Sequence, residues 1–157
     1  MQDLVEKIEE SIKNGSFGIA KNLLLKLDDL SLIDEDENTF LSFCVSKGAD
    51  IEFIRFLISL GFDVYKTNEL GVSLLDEAIS WGRLDIVKML IEEYDFEPNS
   101  TKRDSGFLPI IAAVSYARED IVRYLISKGA DIEARDPQGL SAKDYAKKLG
   151  VEFEYLQ

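Results

Sequence analysis

Few side chains in this chain have the chemistry that catalysis requires. Histidine, the commonest general base and zinc ligand, is absent from the 157 residues. Cys44 is the only thiol, and we interpret it as a structural residue, because burial in apolar surroundings disfavours the reactive thiolate. No phosphate-binding glycine loop and no nucleophile motif of the G-x-S-x-G type occurs. The sequence therefore predicts a protein that is not an enzyme and that needs no cofactor or metal.

Acidic residues cluster in the sequence IDEDE at residues 33–37. Carboxylates bind calcium in an EF-hand loop when they are spaced along it together with a central glycine and a distal glutamate. The cluster lacks these features. We therefore expect a solvated turn and not a calcium site.

The overall charge restricts the class of partner. Asp and Glu number 30 and Lys and Arg number 18, which gives a formal net charge of −12. A nucleic acid needs a basic surface to bind to, and an anionic membrane surface is disfavoured for the same reason. A basic protein partner is favoured, because opposite charges steer association. We expect the chain to be a monomer before it binds this partner.

The chain shows no sequence feature of secretion or membrane insertion. Its first residues, MQDLVEKIEES, are acidic where a signal peptide is basic, and no apolar run follows them. The longest apolar stretch, FLPIIAAV, is too short to span a bilayer. A single cysteine excludes an internal disulfide framework and agrees with a reducing compartment. These features indicate a cytoplasmic protein.

The elements that must position any functional surface come from an internal repeat. RLDIVKMLI at residues 83–91 and REDIVRYLI at residues 118–126 share six of nine residues at a spacing of 35. Gly71, Gly106 and Gly139 follow each other at spacings of 35 and 33. Each repeat has the pattern of a turn, a short helix, a loop and a longer helix with a one-sided apolar stripe. A helix pair this small cannot bury its own apolar face, so the repeats must stack on one another.

The stretch SKGADIE occurs twice, at residues 46–52 and 127–133, but the two copies are not equivalent in this repeat. The spacing of the glycines places the first copy in the middle of its repeat and the second copy at the end of a repeat. A glycine can end a helix in either place by adopting a left-handed conformation. We therefore attribute the match to coincidence reinforced by shared helix-end chemistry.

A period near 33, with GADI followed by a polar turn and a glycine, resembles the ankyrin repeat. The stretch GADIEARDPQGLSAKDYAKKLG at residues 129–150 is especially similar to the last junction and closing helix of such an array. The resemblance implies an all-α solenoid of stacked helix-turn-helix units in a single domain, with units at about 1–36, 37–68, 69–103, 104–136 and 137–157. The family's Thr-Pro-Leu-His tetrapeptide is replaced by TFLS, SLLD, LPII and SAKD.

The helix starts carry local signals of their own. Ser73 and Asp76, and likewise Ser141 and Asp144, have the spacing of a capping box at the first residues of a helix. We therefore predict that the first helices of the third and fifth units begin at these serines.

The resemblance also implies where a partner binds. In ankyrin repeats the concave side, made of the turns between units and the exposed ends of the first helices, is the usual binding surface. In this chain the turn residues are Glu35, Asp36, Asn38, Glu69, Leu70, Val72, Asp104, Phe107, Gln138 and Leu140, and the helix-end residues are Ser80, Trp81, Ser115 and Tyr116.

Three aromatic residues stand out in this set. Trp81 and Tyr116 occupy matching places in neighbouring units, so we predict that they lie side by side, with Phe107 in the turn beside them. Exposed Trp and Tyr side chains are the types most enriched among binding hot spots. The alternative is that these rings fill gaps between repeats, and for Phe107 the two interpretations are equally balanced.

These features favour a non-enzymatic protein–protein interaction module. One hypothesis is a dedicated inhibitor or immunity protein that blocks a basic partner through an acidic concave face with an aromatic centre. The alternative is an adaptor or assembly chaperone that holds a partner without inhibiting it. Salt separates the two, because electrostatic capture weakens when the Debye length shortens, whereas binding through aromatic contacts barely responds.

Overall fold

The computed structural model describes residues 1–33, 39–153 and 156. Within these residues the chain forms nine α-helices and one short 3-10 helix, and it divides into two compact units at residues 1–69 and 70–157. The first unit contains α1 (Gln2–Lys13), α2 (Phe17–Leu24), the 3-10 helix (Leu30–Ile33), α3 (Phe40–Ser46) and α4 (Ile51–Leu60). The second contains α5 (Leu74–Ser80), α6 (Leu84–Glu93), α7 (Pro109–Ser115), α8 (Glu119–Ser127) and α9 (Ala142–Leu149). Most of the predicted acidic turn, residues 34–37, lies outside the described residues.

The first unit is built from two helix pairs, α1 with α2 and α3 with α4. On α1 the apolar residues recur every four positions, and Ile8 and Ile12 are fully buried on the face that this spacing produces. Aromatic rings supply much of the remaining core, with the rings of Phe17 and Phe53 5.1 Å apart. Burial of such rings removes large apolar areas from water, which is the main term that stabilises a small helical unit.

The two copies of SKGADIE take the two different places that the sequence predicts. In the first copy Ser46 ends α3 and Asp50 begins α4 by accepting a hydrogen bond from the Phe53 amide. The second copy starts at Ser127, the last residue of α8, and no helix begins at its Asp131. In both copies a left-handed glycine, Gly48 or Gly129, donates its amide to the carbonyl three residues before it, at 3.0 Å. The shared chemistry of a helix end is therefore confirmed.

In the second unit the helices pack in the order that a stacked repeat requires. α5 packs against α6 and α7, and α7 packs against α8 and α9. The predicted apolar stripes of the longer helices face this core. Their buried members are Ile86, Val87, Leu90, Ile121, Val122 and Leu125, and Ile91 and Ile126 lie half-buried at its margin.

Both predicted capping boxes are present. The Ser73 hydroxyl accepts from the Asp76 amide at 3.2 Å, and Asp76 Oδ2 accepts from the Ser73 amide at 2.9 Å. Ser141 and Asp144 repeat these two bonds at 3.3 and 2.9 Å. Each box satisfies two amides that a helix start leaves without intrahelical partners. The boxes fix where α5 and α9 begin.

Candidate functional site

The predicted surface is described in part. Glu35, Asp36 and Asn38 lie outside the described residues, and Glu69 is an exposed residue at the end of the first unit. The other predicted residues, from Leu70 to Leu140, belong to the second unit. Apart from Glu69, the described candidate residues therefore all belong to the second unit.

Trp81 and Tyr116 occupy matching backbone positions. Each directly follows the last residue of a first helix, α5 or α7, and the two have nearly the same φ and ψ angles, −88° and 2° for Trp81 and −90° and 4° for Tyr116. Their side chains are about half exposed, at 52% and 47%. Because α5 packs against α7, two large aromatic side chains lie at the same end of adjacent helices.

The Trp81 ring is held in place by its own helix. Its indole Nε1 donates a hydrogen bond to Glu77 Oε1 at 2.9 Å, across one helical turn. The matching position one turn before Tyr116 is Ala112, which has no acceptor in its side chain. Glu77 was not among the residues that the sequence singled out, although its spacing of four residues from Trp81 is a local signal for contact on a helix. We call Trp81, Tyr116 and Glu77 together the aromatic surface.

Arg118 joins the two helix ends beside the aromatic surface. Its Nη2 donates to the Ser80 carbonyl, the last residue of α5, at 2.7 Å. Its guanidinium lies so close to Gly82 that a Cβ there would be 3.2 Å from it. A shallow depression of about 520 Å³ opens at this place, and it is lined by Gly82, Ala117, Arg118, Glu119, Asp120 and Arg123. No local sequence signal identifies the bond, because its partners lie 38 residues apart.

Phe107 packs into the junction with the last repeat. Its half-buried ring meets the Tyr145 ring edge-on at 5.3 Å, with an interplanar angle of 83°. The Arg103 guanidinium lies 5.5 Å from the centre of the same ring. These contacts favour the interpretation in which Phe107 fills a gap between repeats. We therefore leave Phe107 out of the aromatic surface.

Asp136 organises the turn before α9. Its carboxylate accepts from the amides of Gln138 and Leu140, each at 2.9 Å, and from the Tyr145 hydroxyl at 2.6 Å. These bonds stabilise the ionised form, and the Tyr145 hydroxyl contributes most to lowering the pKa of Asp136 below its usual value. The sequence did not single out either residue. The arrangement positions Gln138, which is exposed, and Leu140, which is half-buried.

The remaining predicted residues differ in exposure. Leu70 and Asp104 are exposed, and the Asp104 amide donates to the Leu70 carbonyl at 3.0 Å, which ties two successive turns together. Val72, Ser80 and Ser115 are half-buried. The Ser115 hydroxyl oxygen is itself buried, so that oxygen faces the protein and not a partner.

Cys44 is fully buried in the first unit. Burial raises the pKa of its thiol well above the usual range, which keeps the thiol protonated and unreactive. The structural interpretation of Cys44 is thus supported by its surroundings. Among the described residues, no group of three or more acidic or cysteine side chains is arranged to hold a metal ion.

In the part of the chain that the structure describes, no helix is both long and apolar enough to span a bilayer.

Comparison with known proteins identifies the repeat. Residues 8–102 match the family model for ankyrin repeats in three copies, and residues 105–137 match the model for a single ankyrin repeat. These matches confirm the predicted resemblance and the all-α fold class. The exact boundaries of the five predicted units stay a prediction.

Several curated proteins are similar to this chain. Alpha-latrocrustotoxin-Lt1a of Latrodectus tredecimguttatus is 34% identical over 76% of this chain and 9% of its own length. Ankyrin repeat domain-containing protein 53 of Homo sapiens is 23% identical over 80% of this chain and 24% of its own length. Protein phosphatase 1 regulatory subunit 27 of Homo sapiens is 34% identical over 57% of this chain and 58% of its own length. The chain thus spans less than two thirds of each of these relatives.

Ankyrin repeats generally serve as non-enzymatic modules for protein–protein interaction, and the family models together cover most of the chain. The chain therefore belongs to the ankyrin-repeat family and is a protein–protein interaction module.

Proposed function

We propose that the chain binds a basic protein through the aromatic surface of its second unit. One observation carries this proposal: Trp81 and Tyr116 are both about half exposed at matching ends of adjacent helices. Large aromatic side chains are costly to leave in water, and Trp and Tyr dominate the energetics of known interfaces. The hydrogen bond to Glu77 holds the Trp81 ring ready for a partner, which reduces the entropy lost on binding.

The charge of the chain supports a basic partner. With a net charge of −12, the chain attracts a basic protein from a distance and accelerates the encounter. The aromatic surface then provides close contacts that slow dissociation.

The role that we propose is inhibition of this partner, with a simple adaptor as the alternative. One similar protein is named as a regulatory subunit of protein phosphatase 1, which supports a role in which this chain regulates the protein that it binds. As an inhibitor, the chain covers part of the surface that the partner uses for its own activity.

The test compares a variant of the aromatic surface with a matched aromatic control. The double variant Trp81→Ala and Tyr116→Ala removes both rings, whereas Tyr65→Ala removes an exposed ring from the first unit. Each protein is first shown by circular dichroism to be folded. It is then used at low salt to capture proteins from a lysate of the native host, and the captured proteins are identified by mass spectrometry.

We expect a basic protein to be captured by the wild type and by Tyr65→Ala but not by the double variant. Equal capture by all three would move the binding site away from the aromatic surface. The purified partner then separates the two roles. An inhibitor lowers the partner's own activity in proportion to occupancy, and its association rate falls steeply with salt. An adaptor leaves that activity unchanged.

A further inference from the structure

The aromatic surface combines an indole ring with a carboxylate, and such a pair favours a particular type of ligand. We propose that Trp81 and Glu77 form a subsite for one arginine side chain of the protein partner. This inference rests on the proposed function, because it assigns the type of residue that the same surface recognises.

The geometry leaves both groups open to a ligand. The hydrogen bond from indole Nε1 to Glu77 Oε1, at 2.9 Å, uses the edge of the ring and not its faces. A carboxylate can accept about four hydrogen bonds, so the bond to the indole occupies only a part of its capacity. Trp81 is 52% exposed, so a partner can reach this residue.

A guanidinium group fits this pair better than other cations. It is planar and weakly hydrated, it stacks on the face of an indole, and it presents several N–H donors in the plane of its own atoms. An arginine stacked on Trp81 can therefore donate to the adjacent Glu77 carboxylate at the same time. Lysine is a compact, strongly hydrated charge that cannot stack in this way.

The surroundings indicate one such subsite and not two. Tyr116 has Ala112 where Trp81 has Glu77, so the second ring has no carboxylate on its own helix. The nearby cation Arg118 is engaged with the Ser80 carbonyl at 2.7 Å. Because this charge repels a second cation, binding of the partner's arginine depends on the negative charge of Glu77.

The test begins with a probe of unbiased sequence. Random heptapeptides displayed on phage are selected against the wild-type chain at physiological salt, and the enriched peptides are then tested against the double variant Trp81→Ala and Tyr116→Ala. The peptide with the highest affinity is synthesised in three forms, one with its arginine, one with lysine in its place and one with citrulline. Citrulline has a similar shape to arginine without the charge. Trp81 is the only tryptophan in the chain, so its fluorescence reports binding at this position.

Glu77→Gln is the decisive variant, because the amide oxygen of glutamine still accepts from the indole and only the charge is lost. Glu97→Gln, in the exposed loop after α6, is the matched control for net charge. We expect the selected peptides to be enriched in arginine. Glu77→Gln should lower the affinity for the best peptide about fivefold, which is the upper end for an exposed charge pair. Glu97→Gln should leave this affinity unchanged. Replacement of the arginine by citrulline or lysine weakens binding to the wild type.

The outcomes separate this inference from the proposed function. Peptides that need the two rings but contain no arginine overturn the arginine subsite and leave the aromatic surface as the binding site. The arginine subsite is also overturned if lysine replaces the arginine of the peptide without loss of affinity. It is likewise overturned if Glu77→Gln and Glu97→Gln change the affinity equally. Enriched peptides that bind the double variant as well as the wild type would contradict both proposals.

Discussion

At the scale of single residues, the backbone of Ala117 departs from what its side chain prefers. Its φ angle is +53°, and the matching position of the preceding repeat is Gly82, with φ +68°. A Cβ atom in the left-handed region costs roughly 1–2 kcal/mol relative to glycine. Ala117 is exposed, so its methyl group gains little from packing in return.

Ala117→Gly should therefore stabilise the protein. We expect the free energy of unfolding to rise by about 0.5–1 kcal/mol, because relief of the strain exceeds the extra entropy of glycine in the unfolded chain. Chemical denaturation measures the change. Ala134→Gly is the control, since the Ala134 amide closes a turn by donating to the Asp131 carbonyl at 3.3 Å and the residue has no positive φ, and there glycine should lower stability. A fall in both variants would show that Ala117 is not strained.

Asp136 makes stability depend on pH through the hydrogen bonds that its carboxylate accepts. The Tyr145 hydroxyl is the main cause of the lowered pKa of this carboxyl group. A carboxyl group whose pKa is lower in the folded state stabilises the fold above its unfolded pKa, near 3.8. This contribution is lost as the pH falls through the folded pKa.

Tyr145→Phe should consequently reduce the free energy of unfolding at pH 7 more than at a pH below the folded pKa of Asp136. Urea denaturation over this pH range measures the difference between the wild type and the variant. Tyr116→Phe removes an exposed hydroxyl of the same kind and should have no effect at either pH. A destabilisation by Tyr145→Phe that is constant with pH would mean that the Tyr145 hydroxyl stabilises the ionised and the neutral carboxyl group of Asp136 equally, which would contradict this prediction.

At the scale of elements, the glycines that recur at the period of the repeat differ in what surrounds them. Gly71 and Gly139 have nearly the same φ, +72° and +78°. A Cβ on Gly71 would lie 1.8 Å from the Lys102 carbonyl oxygen, whereas a Cβ on Gly139 meets nothing within 4 Å. The turn at Gly71 therefore packs directly against the backbone of the next turn.

Substitution by alanine should separate backbone strain from this close packing. Gly139→Ala should cost about 1–2 kcal/mol, which is the strain of the left-handed backbone alone. Gly71→Ala carries the same strain and must also move the backbone at Lys102, so we expect a loss at least twice as large. Thermal unfolding of both variants gives the comparison, and equal losses would show that the turns can move apart without cost.

These elements also show how far sequence alone could predict the structure. The capping boxes at Ser73 and Ser141 and the glycine spacing are local patterns, so the starts of the helices could be predicted. The contact of Phe107 with Tyr145 and the bond of Arg118 to Ser80 each join residues 38 positions apart. Such pairs depend on how the repeats stack. The Thr-Pro-Leu-His tetrapeptide of the family is replaced in this chain, so it could not be used to predict the stacking. Trp81 and Tyr116 could be predicted because their positions repeat.

At the scale of the whole molecule, the surplus of acidic residues has two opposite effects. Its 30 acidic and 18 basic residues leave 12 negative charges without a counterpart, and these repel one another in the compact state. The ion pairs that the structure shows on helix surfaces, such as Asp3 with Lys7 and Glu119 with Arg123, are exposed. Exposed pairs of this kind contribute little to stability, because solvent and salt screen the two charges. We therefore expect repulsion to exceed attraction within the chain.

Salt should consequently stabilise the chain while it weakens capture of the partner. When the ionic strength rises from about 0.01 to 0.15 M, the Debye length falls from about 30 to 8 Å, which screens the repulsion between distant acids. We expect a higher midpoint of thermal unfolding and a slower association with the basic partner over the same range. Calorimetry measures how the midpoint of unfolding changes with salt, and stopped-flow measurements on the same samples show how the association rate changes. A midpoint that falls with salt would mean that the surface ion pairs outweigh the surplus acids. The charge would then stabilise the fold as well as attract the partner, and neutralising acids far from the aromatic surface would lower stability instead of raising it.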